Sequence, residues 1–221
     1  MYKWFTHLFI PILPFFLINW YTACMIQLVA FLGNHGKKYE ANRHNVAWLF
    51  ADSLDFAGTL SWQKKFQGQY ASSDAFSNHR VYFLKPETYM NLSGDSIGQL
   101  ARFYKIKPEE ILVVHDELEL PPGTISLKNG GGLGGHNGLR STKAVLGTAD
   151  FWRLRFGIGR PEHKDVAGFV LSDFTSDEKI ILSQIFPAAG KLLEEILSGN
   201  APSDPGKLLP EWNKKKLLPA T

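Results

Sequence analysis

Five short strings carry the side chains of this chain that are able to do chemistry. They are Leu32-Gly33-Asn34-His35-Gly36, Asn42-Arg43-His44-Asn45, Thr88-Tyr89-Met90-Asn91-Leu92-Ser93-Gly94, His115-Asp116-Glu117-Leu118, and the glycine run from Gly130 to Gly135 continued by His136-Asn137-Gly138. His44 stands where a loop turns into an amphipathic helix, with no metal-ligand partner nearby in the sequence. His136 and Asn137 set an imidazole and an amide at the start of a predicted helix. Each has a plain structural alternative when taken singly: His44 a satisfied half-buried histidine, Asp116 a solvated strand-end carboxylate, Asn91 and Asn137 helix caps, Met90 a core residue.

Spacing removes several chemistries. The seven histidines show no H-E-x-x-H or close pair, and the one cysteine, Cys24, supplies no zinc cluster, so no metal is expected. Gly130 to Gly135 formally satisfies G-x-G-x-x-G with Asp150 downstream. That carboxylate, however, precedes the next strand instead of ending it, and there is no Walker lysine-serine pair, so no nucleotide cofactor is expected either. The glycines leave backbone N–H groups open to close approach by a polymer or its terminus; the alternative is a merely flexible loop. What remains is a histidine acting on water directly.

The elements that must position these residues follow from periodicity. Ile26 to Phe31 reads as a first strand, and Asn45 to Leu60 as a helix stopped near Gly58. Phe66 to Ala71 and Arg80 to Leu84 read as an antiparallel pair, flanked by the polar clusters Ser72-Ser73-Asp74 and Ser77-Asn78. Ser93 is expected to cap a helix reaching Tyr104. Ile111-Leu112-Val113-Val114 is an apolar run suited to a strand buried on both faces, and it delivers His115 and Asp116 to its C-terminal end, where ligands of open α/β sheets gather. Thr124 to Lys128 and Trp152 to Ile158 read as further strands, Leu139 to Leu146 as a helix, and a last helix follows Ser176. The pattern predicts a single α/β domain with a mixed sheet.

Composition agrees. A 221-residue chain with 44% hydrophobic and 20% charged residues suits one domain, and 24 Lys+Arg against 21 Asp+Glu permits a polyanionic partner without demanding one. A single cysteine excludes an internal disulfide and fits a reducing cytoplasm. The apolar run Leu8 to Ile18 contains Pro11 and Pro14 and falls short of the roughly 20 residues of a membrane span, so no membrane is expected. Met25 opens the first strand directly after it. Residues 1–24 are therefore expected to be an extension outside the fold, with Met25 the physiological start, and 25–199 to be the domain. Pro202, Pro205, Pro210 and Lys214-Lys215-Lys216 mark 200–221 as a loosely ordered tail, either a solubility tail or an RNA-gripping one.

In this order and at these spacings the strings resemble the bacterial-type peptidyl-tRNA hydrolases, whose marks are G-N-P-G, R-H-N-x-G, M-N-x-S-G, H-D-[DE]-L-[DE]-L and G-G-x-G-G-H-N-G. The likeness runs from Met25 to about Gly199. It implies a single α/β domain with a twisted mixed sheet between helices. The implied activity is hydrolysis of the ester joining a peptide to the terminal ribose of tRNA, in peptidyl-tRNAs released prematurely from ribosomes. It further implies a cytoplasmic monomer with no metal or cofactor. In the family, the histidine at the position of His44 accepts the proton of the attacking water, and the carboxylate at Asp116 holds and stabilises it. Asn34, Asn91 and Asn137 grip the peptide and the tRNA terminus, with Asn34 helping to tell blocked from free amino ends. Tyr39, Tyr89 and Met90 line the cleft, with His136 a further substrate contact. Asn91 or Asn137 are the candidates for steadying the oxyanion.

The chemistry is coherent with those roles. Imidazole titrates at roughly 6.5 when unperturbed, and a carboxylate on one ring nitrogen leaves the other to take a proton. An asparagine amide reads a peptide without charge. Lys128 and Arg155 fall where the family contacts tRNA phosphate; otherwise they are exposed strand charges. Two departures stand out: His35 replaces the usual proline, which frees the turn's backbone, and Ala47 stands where glycine is common. Two other functions compete: an RNA-binding, splicing-associated homologue that has lost hydrolysis, and a peptidase acting on free peptides.

Overall fold

Seven strands form one mixed sheet: β1 Leu28–Phe31, β2 Gln63–Lys65, β3 Gly68–Ser73, β4 Val81–Pro86, β5 Ile111–Glu117, β6 Ile125–Asn129 and β7 Trp152–Gly157, in the order β2-β3-β4-β1-β5-β7-β6. The computed structural model describes residues 25–76, 79–162 and 165–200. The N-terminal extension 1–24, the Ser77-Asn78 cluster and the tail after residue 200 lie outside the described residues. β4, β1, β5 and β7 run parallel, while β2 and β3 at one edge and β6 at the other pair antiparallel to their neighbours. Among the described residues there are five α-helices: α1 Val46–Ser53, α2 Ser93–Tyr104, α3 Asn137–Leu146, α4 Val166–Val170 and α5 Ser176–Glu195.

The parallel centre is buried on both faces, as its continuous apolar runs require. Leu28 to Phe31 and Ile111 to Val114 are fully buried. Val29, Phe31, Leu112, Val114, Leu154 and Phe156 pack with Phe50 of α1 and Ile185 of α5. Leu28, Ala30, Ile111 and Val113 pack with Ile97 and Leu100 of α2 and Leu139 of α3. The sheet is thus sandwiched between helices, as expected.

Several boundaries differ from the sequence reading for identifiable reasons. The helix expected to reach Leu60 stops at Ser53, because Leu54 turns to an extended conformation and buries its side chain; Ala57–Thr59 is only a single 3-10 turn. The strand expected from Phe66 begins at Gly68. Phe66 and Gln67 both have positive φ, 57° and 52°, and form a two-residue hairpin turn between β2 and β3. Two side-chain-bearing residues in the left-handed region are costly, and burial of the Phe66 ring among Tyr70, Phe103 and Tyr104 offsets the cost. Ser93 is the first residue of α2, not its cap. Its hydroxyl donates to the Met90 carbonyl at 2.9 Å, tying α2 to the preceding 3-10 turn Met90–Leu92. α4 was not foreseen; it is five residues long.

Candidate active site

Two parallel strand ends, those of β1 and β5, meet at one edge of the sheet. β1 runs out through Leu32 and Gly33 to Asn34, and β5 ends in His115, Asp116 and Glu117. The 3-10 turn Arg43–Asn45 leads into α1 and holds His44 over Asp116. The glycine run then brings in α3: Gly134 and Gly135 adopt φ of 58° and 78°, and Gly138 lets Met90 and Leu32 approach so closely that a Cβ there would lie 2.6 Å from the Met90 sulfur.

The centre is a carboxylate shared by two imidazoles. His44 Nδ1 lies 2.8 Å and His136 Nε2 3.0 Å from the same oxygen, Oδ1 of Asp116. The tautomer of His136 is set from its far side. Its Nδ1 accepts from the backbone N–H of Gly138 at 3.1 Å and of Leu139 at 3.3 Å, capping α3, so the ring proton sits on Nε2 and points at Asp116. Asn137, expected as a possible cap, is instead the first residue of α3 with its side chain exposed. With an ionised Asp116, His44 also donates through Nδ1, leaving Nε2 to face the cleft.

The electrostatics follow from burial and pairing. Burial opposes the Asp116 charge, but the fields and hydrogen bonds of His44 and His136 outweigh it and hold the carboxyl well below the usual carboxylate range. Burial likewise opposes protonation of His44, yet the charge and hydrogen bond of Asp116 prevail and raise its pKa above 6.5. His115 behaves oppositely. It is fully buried and donates through Nδ1 to the Asp116 carbonyl at 2.6 Å, while Nε2 has no hydrogen-bond partner among the described residues, and burial followed by the neighbouring His136 pushes it well below 6.5.

Asn34 is held by a reciprocal amide pair: its N–H donates to Asn45 Oδ1 at 2.8 Å, and Asn45 Nδ2 donates to the Asn34 carbonyl at 3.0 Å. Its own side-chain Oδ1 accepts from the Met90 N–H at 2.8 Å, a bond that fixes the amide and leaves its Nδ2 donors uncommitted among the described residues. A cleft of about 780 Å³ collects Asn34, Tyr39, His44, Tyr89, Met90, Asn91, Asp116, His136 and Asn137, all nine anticipated from the sequence. The side chains of Asn91 and Asn137 are exposed there and make no hydrogen bond within the described residues. His44, Asp116 and His136 also bring one ligand atom each within 4.8 Å of one another, the composition of a two-imidazole, one-carboxylate metal site. The capping bonds of His136 disfavour that use, since Nε2 carries a proton where a metal needs a lone pair.

The family model described as peptidyl-tRNA hydrolase matches residues 28–216. The chain belongs to the peptidyl-tRNA hydrolase family. It is 49% identical over 200 residues to the peptidyl-tRNA hydrolase of Treponema pallidum, covering 87% of this chain and 97% of that one. It is 46% identical over 177 residues to that of Neisseria meningitidis serogroup C, covering 79% and 92%. Among solved structures, the peptidyl-tRNA hydrolase of Acinetobacter baumannii superposes with a TM-score of 0.73 at 35% identity, covering 87% of this chain and 94% of that one. The peptidyl-tRNA hydrolase complexed with N-propanol gives 0.74 at 37% identity, covering 80% and 91%.

Measured against the peptidyl-tRNA hydrolase pattern, the remaining residues divide. Lys128 and Arg155 do not line the cleft; they share one face of β6 and β7, where Arg155 donates to Ser126 Oγ at 2.7 Å and pairs with Glu117 at 3.4 Å. Buried Arg153, on the same face, was not anticipated. Its guanidinium donates to the carbonyls of Gly130, Gly131 and Gly132, so the glycine run is a held loop and not a merely flexible one. Asn45 was also missed, although its place beside His44 was a signal. Among the departures from the peptidyl-tRNA hydrolase pattern, His35 is exposed with its N–H 3.4 Å from the Thr88 carbonyl, and Ala47 is fully buried in α1. No helix of the described residues is long and apolar enough to cross a membrane.

Proposed function

We propose that the chain hydrolyses the ester between a peptide's C-terminus and the terminal ribose of tRNA, with His44 accepting a proton from the attacking water. The observation that carries this reading is the 2.8 Å bond from His44 Nδ1 to Asp116 Oδ1 at the wall of the cleft, which orients the ring and leaves Nε2 as the base. Asp116 stabilises the imidazolium that forms, and His136 fixes Asp116 from the other side. Asn91 and Asn137, whose amides are uncommitted, are the donors available to a tetrahedral oxyanion, work worth roughly 3 to 4 kcal/mol for one such donor in other enzymes. Asn34, whose amide is fixed by its bond with Met90, offers its Nδ2 donors to the carbonyl of a blocked amino end. Tyr39, Tyr89 and Met90 form the cleft's less polar lining. The substrate in this reading is peptidyl-tRNA released prematurely from ribosomes, and the protein works as a cytoplasmic monomer without metal.

Ester release from an N-blocked and a free aminoacyl-tRNA tests the reading. The blocked form is expected to turn over and the free form to resist. His44→Ala is expected to slow turnover by about 10³-fold while tRNA binding stays within a fewfold of the parent, because the base is lost with little contact area. Binding without turnover of the blocked ester would leave the RNA-binding alternative, and cleavage of free peptides the peptidase.

A further inference from the structure

The residue before His44 holds a wall of the cleft. α4 is too short to be stable by itself, yet Val166, Ala167 and Val170, with Leu171 just after them, line the same cleft as His44 and Asn34. What fixes it is the segment that carries the catalytic histidine. Residue 42 bridges to 173, the Arg43 N–H donates to the Ser172 carbonyl at 3.1 Å, the Phe174 N–H donates to the Ala41 carbonyl at 3.2 Å, and Asn42 Nδ2 donates to the Leu171 carbonyl.

Arg43 is the centre of this attachment. Its guanidinium is buried: Nε and Nη2 grip Glu178 of α5 at 3.1 and 2.6 Å, and Nη1 donates to Ser172 Oγ at 2.6 Å and the Asp173 carbonyl at 2.9 Å. The Phe169 ring of α4 packs beneath the guanidinium at 4.4 Å. A buried ion pair is a weak source of net stability compared with apolar packing. What a planar fork with fixed donors supplies is direction. Glu178 is itself committed, accepting from the Thr175 N–H at 2.7 Å as part of the α5 capping box, so the clamp is anchored to a helix start and not to a free side chain.

We infer that Arg43 is a specificity-determining positioning residue: through Glu178 and Phe169 it holds the α4 wall at a fixed distance from His44, and that wall receives the apolar side chain of the acyl residue next to the scissile ester. The inference rests on the ester-hydrolysis reading and adds to it the part of the substrate that the wall reads. Because wall and base are mounted on consecutive residues, loosening the clamp weakens recognition of bulky acyl side chains more than of small ones.

The test compares N-acetyl-Phe-tRNA with N-acetyl-Gly-tRNA. In Arg43→Gln, the ratio of kcat/KM for the Phe ester over the Gly ester is expected to fall about tenfold, the discrimination that a few buried methylenes carry, mostly through KM. Arg43→Lys, which keeps the charge but not the fork, is expected to give an intermediate ratio. General destabilisation would lower both esters together and leave the ratio unchanged, and that result overturns the inference. If Arg43→Gln does not fold, Glu178→Gln removes the same charge pairing, and an unchanged ratio there is equally decisive against it. Failure of the parent protein to release either ester would sink the hydrolase reading itself, whereas normal parent turnover with an unchanged ratio sinks only the clamp.

Discussion

Asp116 illustrates how much chemistry one oxygen can organise. Its Oδ1 accepts from two rings, and its charge decides the protonation of His44 against the burial that would otherwise keep that ring neutral. The sign of the pH effect follows. His44 must be unprotonated to act as a base, and its pKa lies above 6.5, so the acid limb of kcat/KM is expected above pH 6.5. In Asp116→Asn the raising charge is gone and burial remains, so the limb is expected to move to lower pH while kcat drops by about tenfold to a hundredfold from poorer ring orientation. A pH–rate profile of both proteins checks this; a limb that stays put would separate Asp116 from the ionisation of His44. His44 and Asp116 were legible in the sequence as a histidine at a helix mouth and a carboxylate at a strand end. Their pairing was supplied by the family resemblance, because 72 residues separate them.

At the scale of elements, helix α3 carries a group of the proposed site in its own cap. Its cap is His136, whose Nδ1 takes two amide protons and whose Nε2 thereby becomes a donor to Asp116. The two roles can be separated: His136→Asn keeps a good capping side chain and shortens the reach to Asp116. Thermal stability is expected to stay within a few degrees, while kcat falls by about an order of magnitude. A large loss of Tm with unchanged kcat would make the histidine a cap and nothing more. The sequence located the start of α3 to within two residues and offered Asn137 as a cap only when taken singly, since asparagine is the commoner choice; nothing local reveals that a carboxylate waits on the far side of the His136 imidazole. The Phe66-Gln67 turn was missed for a related reason: it carries no Asn-Gly or Asp-Gly signal, and a distant aromatic cluster sustains it.

At the scale of the molecule, the doubly covered sheet sets its polar machinery on one edge, with Lys128, Arg153 and Arg155 aligned on one face of β6 and β7. Arg153 is spent on the glycine loop and Arg155 is engaged by Glu117 and Ser126, so Lys128 is the cation of this row best placed for a phosphate. Lys128→Ala is expected to reduce the slope of log binding constant against log salt by about 1, and Arg155→Ala by less. Equal slopes for parent and Lys128→Ala would remove that residue from the RNA contact. The sequence by itself determined the α/β class and the both-sides-buried strand β5, because apolar runs are local signals; nine of the residues that line the cleft came from the resemblance of its short polar motifs to the family. Tertiary structure decided which groups share a proton network, which arginines are already occupied, and that α4 exists as a wall. Those outcomes depend on contacts between segments far apart in the chain, such as Arg43 with Glu178 and Asp116 with both His44 and His136, whose energies no local window contains.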